Sequence, residues 1–201
     1  MQYYITPSPA NYPTFRLGDT FFTSNLVQLK RLDFIAYQHE EPGREATIFF
    51  HRLCGLPGDT LEIRRGSLYV NNQNLDSNLH LMSHYVVAAK DLANLPAAMV
   101  ADTLSMARQQ RPDSVDHLGL ADADVAHYHF PARRVILPAS QYDYLIQQTY
   151  EQPWNQDNFG PIVIPAGSYF VLGDNRHNAL DSRYAGMIAK GRVVGTVLGK
   201  R

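Results

Sequence analysis

Ile48-Phe49-Phe50-His51-Arg52-Leu53-Cys54-Gly55-Leu56-Pro57-Gly58-Asp59 is the stretch whose reading decides the fold. Apolar and β-branched residues run into a Leu-Pro-Gly-Asp turn, the pattern of a buried strand followed by a tight reversal. In alternating geometry Thr47, Phe49, His51 and Leu53 share one face. One titratable group therefore sits in an otherwise apolar row. By itself the row reads as a core strand carrying a hydrogen-bonded histidine, with Cys54 as an inert core thiol.

Working outward, β signals dominate both ends of the chain. Residues 20–27 and 34–37 read as strands. Residues 60–70 read as a hairpin turning at Arg65-Gly66, followed by the polar turn Asn71-Asn72. Pro7, Pro9 and Pro13 exclude a helix from residues 1–19 and favour extended or turning backbone. Residues 162–164, 168–172 and 192–198 are further strands. The middle differs in character. Residues 97–110, flanked by Pro96 and Pro112, have a helical spacing of Met99, Leu104 and Met106. The acidic segment 113–124 reads as a loop, 133–137 as a strand, and 138–148 as a short helix opening near Ser140. The expected organisation is a mainly β core from residues 1–75 and 156–201, interrupted by a smaller α+β insert at 76–155.

The chain has 201 residues, 45% of them hydrophobic and 18% charged, which fits a globular protein. A net charge of -1 without a basic run gives no electrostatic footprint for nucleic acid. One cysteine excludes an intrachain disulfide. No apolar run reaches the length needed to span a bilayer, and the N-terminus lacks the pattern of a signal peptide. Either the protein is soluble where it is made, or an anchor is absent from this chain.

Three segments in order are similar to the type I signal peptidases, the membrane-anchored serine endopeptidases that remove signal peptides. Ser8-Pro9-Ala10-Asn11-Tyr12-Pro13-Thr14-Phe15-Arg16-Leu17-Gly18-Asp19 resembles S-x-S-M-x-P-T-L-x-x-G-D. His51-Arg52-Leu53-Cys54-Gly55-Leu56-Pro57-Gly58-Asp59, then Gly66-Ser67-Leu68-Tyr69-Val70-Asn71, resembles K-R-V-I-G-L-P-G-D and G-x-L-Y-V-N-G. Gly173-Asp174-Asn175-Arg176-His177-Asn178-Ala179-Leu180-Asp181-Ser182-Arg183-Tyr184-Ala185-Gly186 resembles G-D-N-R-x-N-S-x-D-S-R-x-W-G. Arg31-Leu32-Asp33 echoes R-G-D, and Gly160-Pro161-Ile162-Val163-Ile164-Pro165 echoes G-P-V-x-V-P. The resemblance implies a barrel-like core of coiled antiparallel β-sheet, with residues 76–155 as the variable insert.

It also implies a chemistry: a serine hydroxyl attacks the scissile carbonyl, a neutral lysine takes its proton, and a backbone amide with a second hydroxyl binds the oxyanion. The nucleophile position is Ala10, and a methyl group cannot attack. The base position is His51, an imidazole largely neutral near pH 7 without special burial. Ser8 stands at the oxyanion-hole position. Ala179 replaces the serine that contacts the base, and Asn11 replaces the usual methionine. Asp181 and Arg183 match the ion pair beside the site, and Asp174 and Asn175 the turn that leads into it. The resemblance thus implies a catalytically degenerate member, extracytoplasmic (periplasmic) and bound for signal peptides or other extended segments of exported proteins, with no cofactor or metal and no nucleic acid. One alternative is an active Ser/His endopeptidase, its serine engineered away at position 10 or its nucleophile shifted to Ser8. Another is a structural module whose function lies in the 76–155 insert.

Some residues are left over. His80, His84, His117, His127 and His129 invite a metal reading, with His127 and His129 on one face of a strand. No cysteine partner and no H-E-x-x-H spacing accompany them, so surface histidines are the expectation. Ser105-Met106 mimics the S-M pair but lacks the following Pro-Thr. Phe15, Phe21 and Phe22 flank the site loop, either as core or as an apolar rim against a membrane surface.

Overall fold

The row around His51 forms one strand, β4 (Thr47–Gly55). The Pro57-Gly58 turn ends it, with Gly58 at φ 87°, a conformation that a side chain would strain. The computed structural model describes residues 1–40, 43, 45–99, 109–110 and 115–200. β4 belongs to a seven-stranded sheet with β1 (Gln2–Ile5), β2 (Thr20–Ser24), β3 (Phe34–His39), β13 (Ser168–Leu172), β14 (Ile188–Ala189) and β15 (Val193–Lys200). The order is β1-β2-β15-β3-β4-β13-β14, with antiparallel pairs throughout. β1 and β14 end the sheet without meeting, so the mainly β core is as expected but among the described residues no barrel closes.

A second sheet, of order β12-β5-β6-β7, contains β5 (Thr60–Arg64), β6 (Ser67–Val70), β7 (Gln73–Asn74) and β12 (Phe159–Val163). Arg65 and Gly66 both take positive φ at the β5–β6 reversal, as the hairpin reading requires, and Asn71 and Asn72 do the same at the next one. A third sheet, of order β11-β8-β10-β9, comes entirely from residues 82–134: β8 (Met82–Ala88), β9 (Gln109–Gln110), β10 (Val115–Ala121) and β11 (Ala132–Arg134).

The two faces of β4 bury different clusters. Leu53 and Phe49 pack with Ile35, Tyr37, Val171 and Ile188 on one face. On the other, Phe50 joins Phe15, Phe21, Phe34 and Ala36, and Cys54 joins the cluster beneath the second sheet with Leu61, Leu68, Phe159 and Phe170. Burial pushes the Cys54 thiol up to about 12, in keeping with an inert core group. Phe15 touches Phe21, Phe34 and Phe50 at centroid distances of 5.8, 4.9 and 5.3 Å. Each such ring contributes about 2–3 kcal/mol by burial. Phe15 and Phe21 are thus core rather than rim, and they anchor the loop that precedes them.

The middle of the chain departs most from expectation. The segment 113–124 was expected as a loop, yet 115–121 is a strand paired along its whole length with β8, and Leu118 and Leu120 fill a core with Tyr85 and Val87. Its acidic composition hid the alternation of those leucines. The helix expected over 97–110 is seen at 97–99 and has given way to strand at 109–110, while its middle, with Leu104, Ser105 and Met106, lies outside the described residues. The helix expected to open near Ser140 is α3 (Tyr144–Tyr150), following α1 (Ala89–Leu92) and α2 (Asp122–His127). Asp143 caps it, accepting from the amides of Leu145 and Ile146. His127 closes α2 and His129 lies in the turn beyond it at φ 48°, so they do not share a strand face; His84 is half-buried rather than on the surface. Among the described residues no helix is long and apolar enough to cross a membrane.

Candidate functional site

The Phe15 anchor leaves the preceding Pro9–Asn11 as a single 3₁₀ turn, with Pro at its first position, where the missing N–H costs nothing. This turn lies against the edge of β4. Asn11 Nδ2 donates to the Phe50 carbonyl at 2.7 Å. The Asn175 amide donates to the Ala10 carbonyl at 3.0 Å, and Asn175 Nδ2 to the Pro9 carbonyl at 3.1 Å. Gly173 passes so close behind that a Cβ there would sit 2.5 Å from the Ala10 oxygen and collide with the Ala179 methyl. Ala10 and Asn11 are buried as a result. Asn11 is therefore a structural tie between the turn and the strand edge.

Ser8, Ala10 and His51 line one cleft of about 240 Å³, together with Pro7, Pro9, Ile48–Phe50, Asn178 and Leu180. Most of these side chains are apolar. The Ser8 hydroxyl makes no capping bond to the turn. β13 pairs with β4 only as far as Arg52, so among the described residues no strand covers Ile48 and Phe50 on that side, where Asn11 takes the Phe50 carbonyl. Extended backbone of another chain can pair with strand backbone left uncovered in this way.

His51 is 3% exposed, and its Nδ1 meets the Tyr37 hydroxyl at 2.8 Å. Burial lowers its pKa from 6.5 to about 4, against the pull of the Asp181 carboxylate. The ring is neutral at pH 7. Asp181 is fully buried. Burial opposes its ionisation, but the Arg183 guanidinium, donating from Nε at 2.9 Å and Nη2 at 2.8 Å, overcomes that and holds the carboxyl below its usual range. Asp181 also accepts from the Gly173 amide, and Arg183 donates to the Arg176 carbonyl, so the pair clamps the loop over residues 173–183.

The three sequence segments meet at Asp174, through Thr14 and Arg52, which motif matching did not single out. Arg52 forms a two-pronged pair with Asp174, 2.7 Å from Nε and 2.5 Å from Nη2, and Thr14 donates to the same carboxylate. Thr14, Arg52 and Asp174 come one from each segment. Arg31 holds Asp59 in the same two-pronged manner, at 2.6 and 3.0 Å. Leu32 takes φ 74°, where a side chain costs about 1 kcal/mol, at the point where the R-G-D pattern has glycine. Behind the site, β8 docks on the same loop: the Met82 amide donates to the Asp174 carbonyl, and the Arg176 amide to the Met82 carbonyl. The His84 amide donates to His177 Nδ1, whose Nε2 lies 3.0 Å from Asp157. Tyr37 gave no signal in the sequence beyond its place in an alternating strand. Among the described residues no three metal-ligating side chains converge.

A family model described as signal peptidase, peptidase S26, matches residues 1–199. The chain is 24% identical over 198 residues to signal peptidase I S of Bacillus subtilis, covering 96% of this chain and 72% of that protein. It is 27% identical over 201 residues to the signal peptidase I of Aquifex aeolicus, covering 96% and 73%. A solved signal peptidase I from Enterococcus faecalis is similar at 21% identity with a TM-score of 0.39, covering 85% of this chain and 97% of that one.

Proposed function

The chain belongs to the signal peptidase family, peptidase S26, and we propose that it binds extended segments of exported proteins, signal peptides among them, without cleaving them. The observation that carries this reading is what lines the cleft. The resemblance assigns the nucleophile position to Ala10, a methyl group, and Ala10 lines the same cleft as His51. The strand-free side of β4 at Ile48 and Phe50, an apolar lining and an uncommitted Ser8 hydroxyl support docking of an extended peptide by partial strand addition. The protein works on the extracytoplasmic side of the membrane as an accessory or holding factor. The β1 edge of the large sheet, where Met1, Tyr3 and Ile5 are exposed, is the surface that meets lipid.

The test is to incubate the chain with a labelled preprotein. Binding is expected without a new N-terminus in the product. Binding is also expected to weaken when alternate amides of the peptide are N-methylated, since that removes edge hydrogen bonds. Cleavage by the chain overturns the reading. The second reading is a peptidase with Ser8 as nucleophile, favoured by the position of that uncapped hydroxyl in the same cleft as His51. Cleavage that disappears in Ser8→Ala would establish it.

A further inference from the structure

A histidine can serve a peptide site in two opposite ways. With its proton on Nδ1, Nε2 is a bare acceptor and can act as a base. With its proton on Nε2, that atom is a donor. In serine hydrolases the first form is held by a carboxylate that accepts the Nδ1 proton. The partner of Nδ1 therefore decides what the ring can do.

Here that partner is a phenol. β3 and β4 pair with Ile35 opposite His51 and Tyr37 opposite Phe49, so Tyr37 and His51 are diagonal neighbours on one face. Tyr37 is fully buried among Ile35, Leu53, Val171 and Ile188. Burial, reinforced by Asp181, drives its pKa far above the usual value, so the hydroxyl keeps its proton at any working pH. That proton needs an acceptor. His51 Nδ1, at 2.8 Å, is the one hydrogen-bond partner of the hydroxyl among the described residues. The nearby carboxylate, Asp181, already accepts from Arg183 and Gly173.

Two arrangements satisfy the distance. If the phenol donates to a bare Nδ1, both groups are paired. If Nδ1–H donates to the phenol oxygen, the phenol proton is left unmade in an apolar cluster. The cost of such a buried donor disfavours that arrangement roughly tenfold or more.

We infer that Tyr37 is a positioning residue that holds His51 as the Nε2–H tautomer, so that the cleft offers a hydrogen-bond donor to the backbone carbonyl of a bound extended peptide rather than a base to a nucleophile. The choice of ligand rests on the peptide-binding reading above; the tautomer belongs to the free protein and does not. The same device separates this histidine from a mere replacement of a lysine base, because it points the ring's chemistry in the other direction.

The experiment is a two-bond ¹H–¹⁵N spectrum of the histidine side chains in the full chain at pH 7, with His51 assigned by its loss in His51→Gln. The expected pattern is a protonated Nε2 and a bare Nδ1. A protonated Nδ1 overturns the inference. In Tyr37→Phe, with backbone amide spectra showing the fold kept, the pattern is expected to move toward a mixture of tautomers; an unchanged pattern overturns the role of Tyr37. Titration with a signal-sequence peptide is expected to shift His51 Nε2. A peptide that binds without moving it overturns the donor role. If no peptide binds while the Nε2–H pattern is present, the peptide-binding reading fails and the tautomer assignment stands.

Discussion

Replacing His51 by Gln should flatten the acid side of the stability curve. In the folded chain His51 titrates at about 4 instead of 6.5, because burial penalises the imidazolium more than Asp181 and Asp174 favour it, with Arg183 and His39 adding to the penalty. The unfolded chain takes up a proton near 6.5, so between these values it binds more protons than the folded one, and stability falls as pH falls. Above about pH 7 the group contributes no slope. The full penalty, about 3 kcal/mol at ~1.4 kcal/mol per unit, is reached only below pH 4. By pH 5 it amounts to about 2 kcal/mol. The depressed carboxyls Asp59, Asp157 and Asp181 act elsewhere: their stabilisation is present above the ordinary carboxyl value and is lost only as pH falls below it. His84, also lowered to about 4 by burial and by His177 and His117, adds a slope in the same window, but both chains share it. The assay is urea unfolding of the native chain and His51→Gln at pH 8 and pH 5. The native chain is expected to lose about 2 kcal/mol more than the variant over that interval. Equal losses would mean that His51 titrates as it does in water, and the account of a buried neutral imidazole would be wrong.

Other perturbations probe the frame around the cleft. Ala10→Ser alone is expected to leave a signal peptide uncut, since His51 Nε2 carries a proton; combining it with Tyr37→Phe is expected to raise cleavage over the single variant, read by the appearance of a new N-terminus. Gly173→Ala is expected to cost about 1–3 kcal/mol by overpacking and to weaken peptide binding, because the added methyl drives into the Ala10 carbonyl. Arg52→Met strands the buried Asp174 carboxylate and is expected to cost about 3–5 kcal/mol, with much of that recovered in the double variant Arg52→Met/Asp174→Asn. Both are read from urea midpoints at pH 8.

How much of this was legible in the chain differs by layer. The alternation of Phe49, His51 and Leu53 fixed which side chains of β4 share a face, and the Arg65-Gly66 and Asn71-Asn72 turns fixed the second sheet, because period-two patterning and positive-φ turns are local properties. The three family segments likewise located the loop, strand and turn that surround the cleft. In the middle of the chain tertiary pairing overrides the local sequence. At 115–121 the partner strand, not the acidic local sequence, decided the conformation, and at 138–148 the helix waited for a cap at Asp143 that composition alone did not favour over Ser140. What only the tertiary structure decided is how groups far apart in sequence share protons and charge. Thr14 and Arg52 converge on Asp174 across more than a hundred residues of chain, and no pattern within one segment encodes that. Tyr37 and His51 are fourteen residues apart and meet only because β3 and β4 pair in this register. The sequence determined that a histidine stands in the apolar row of a core strand. The phenol beneath it, set by strand pairing, decides which of its nitrogens holds the proton.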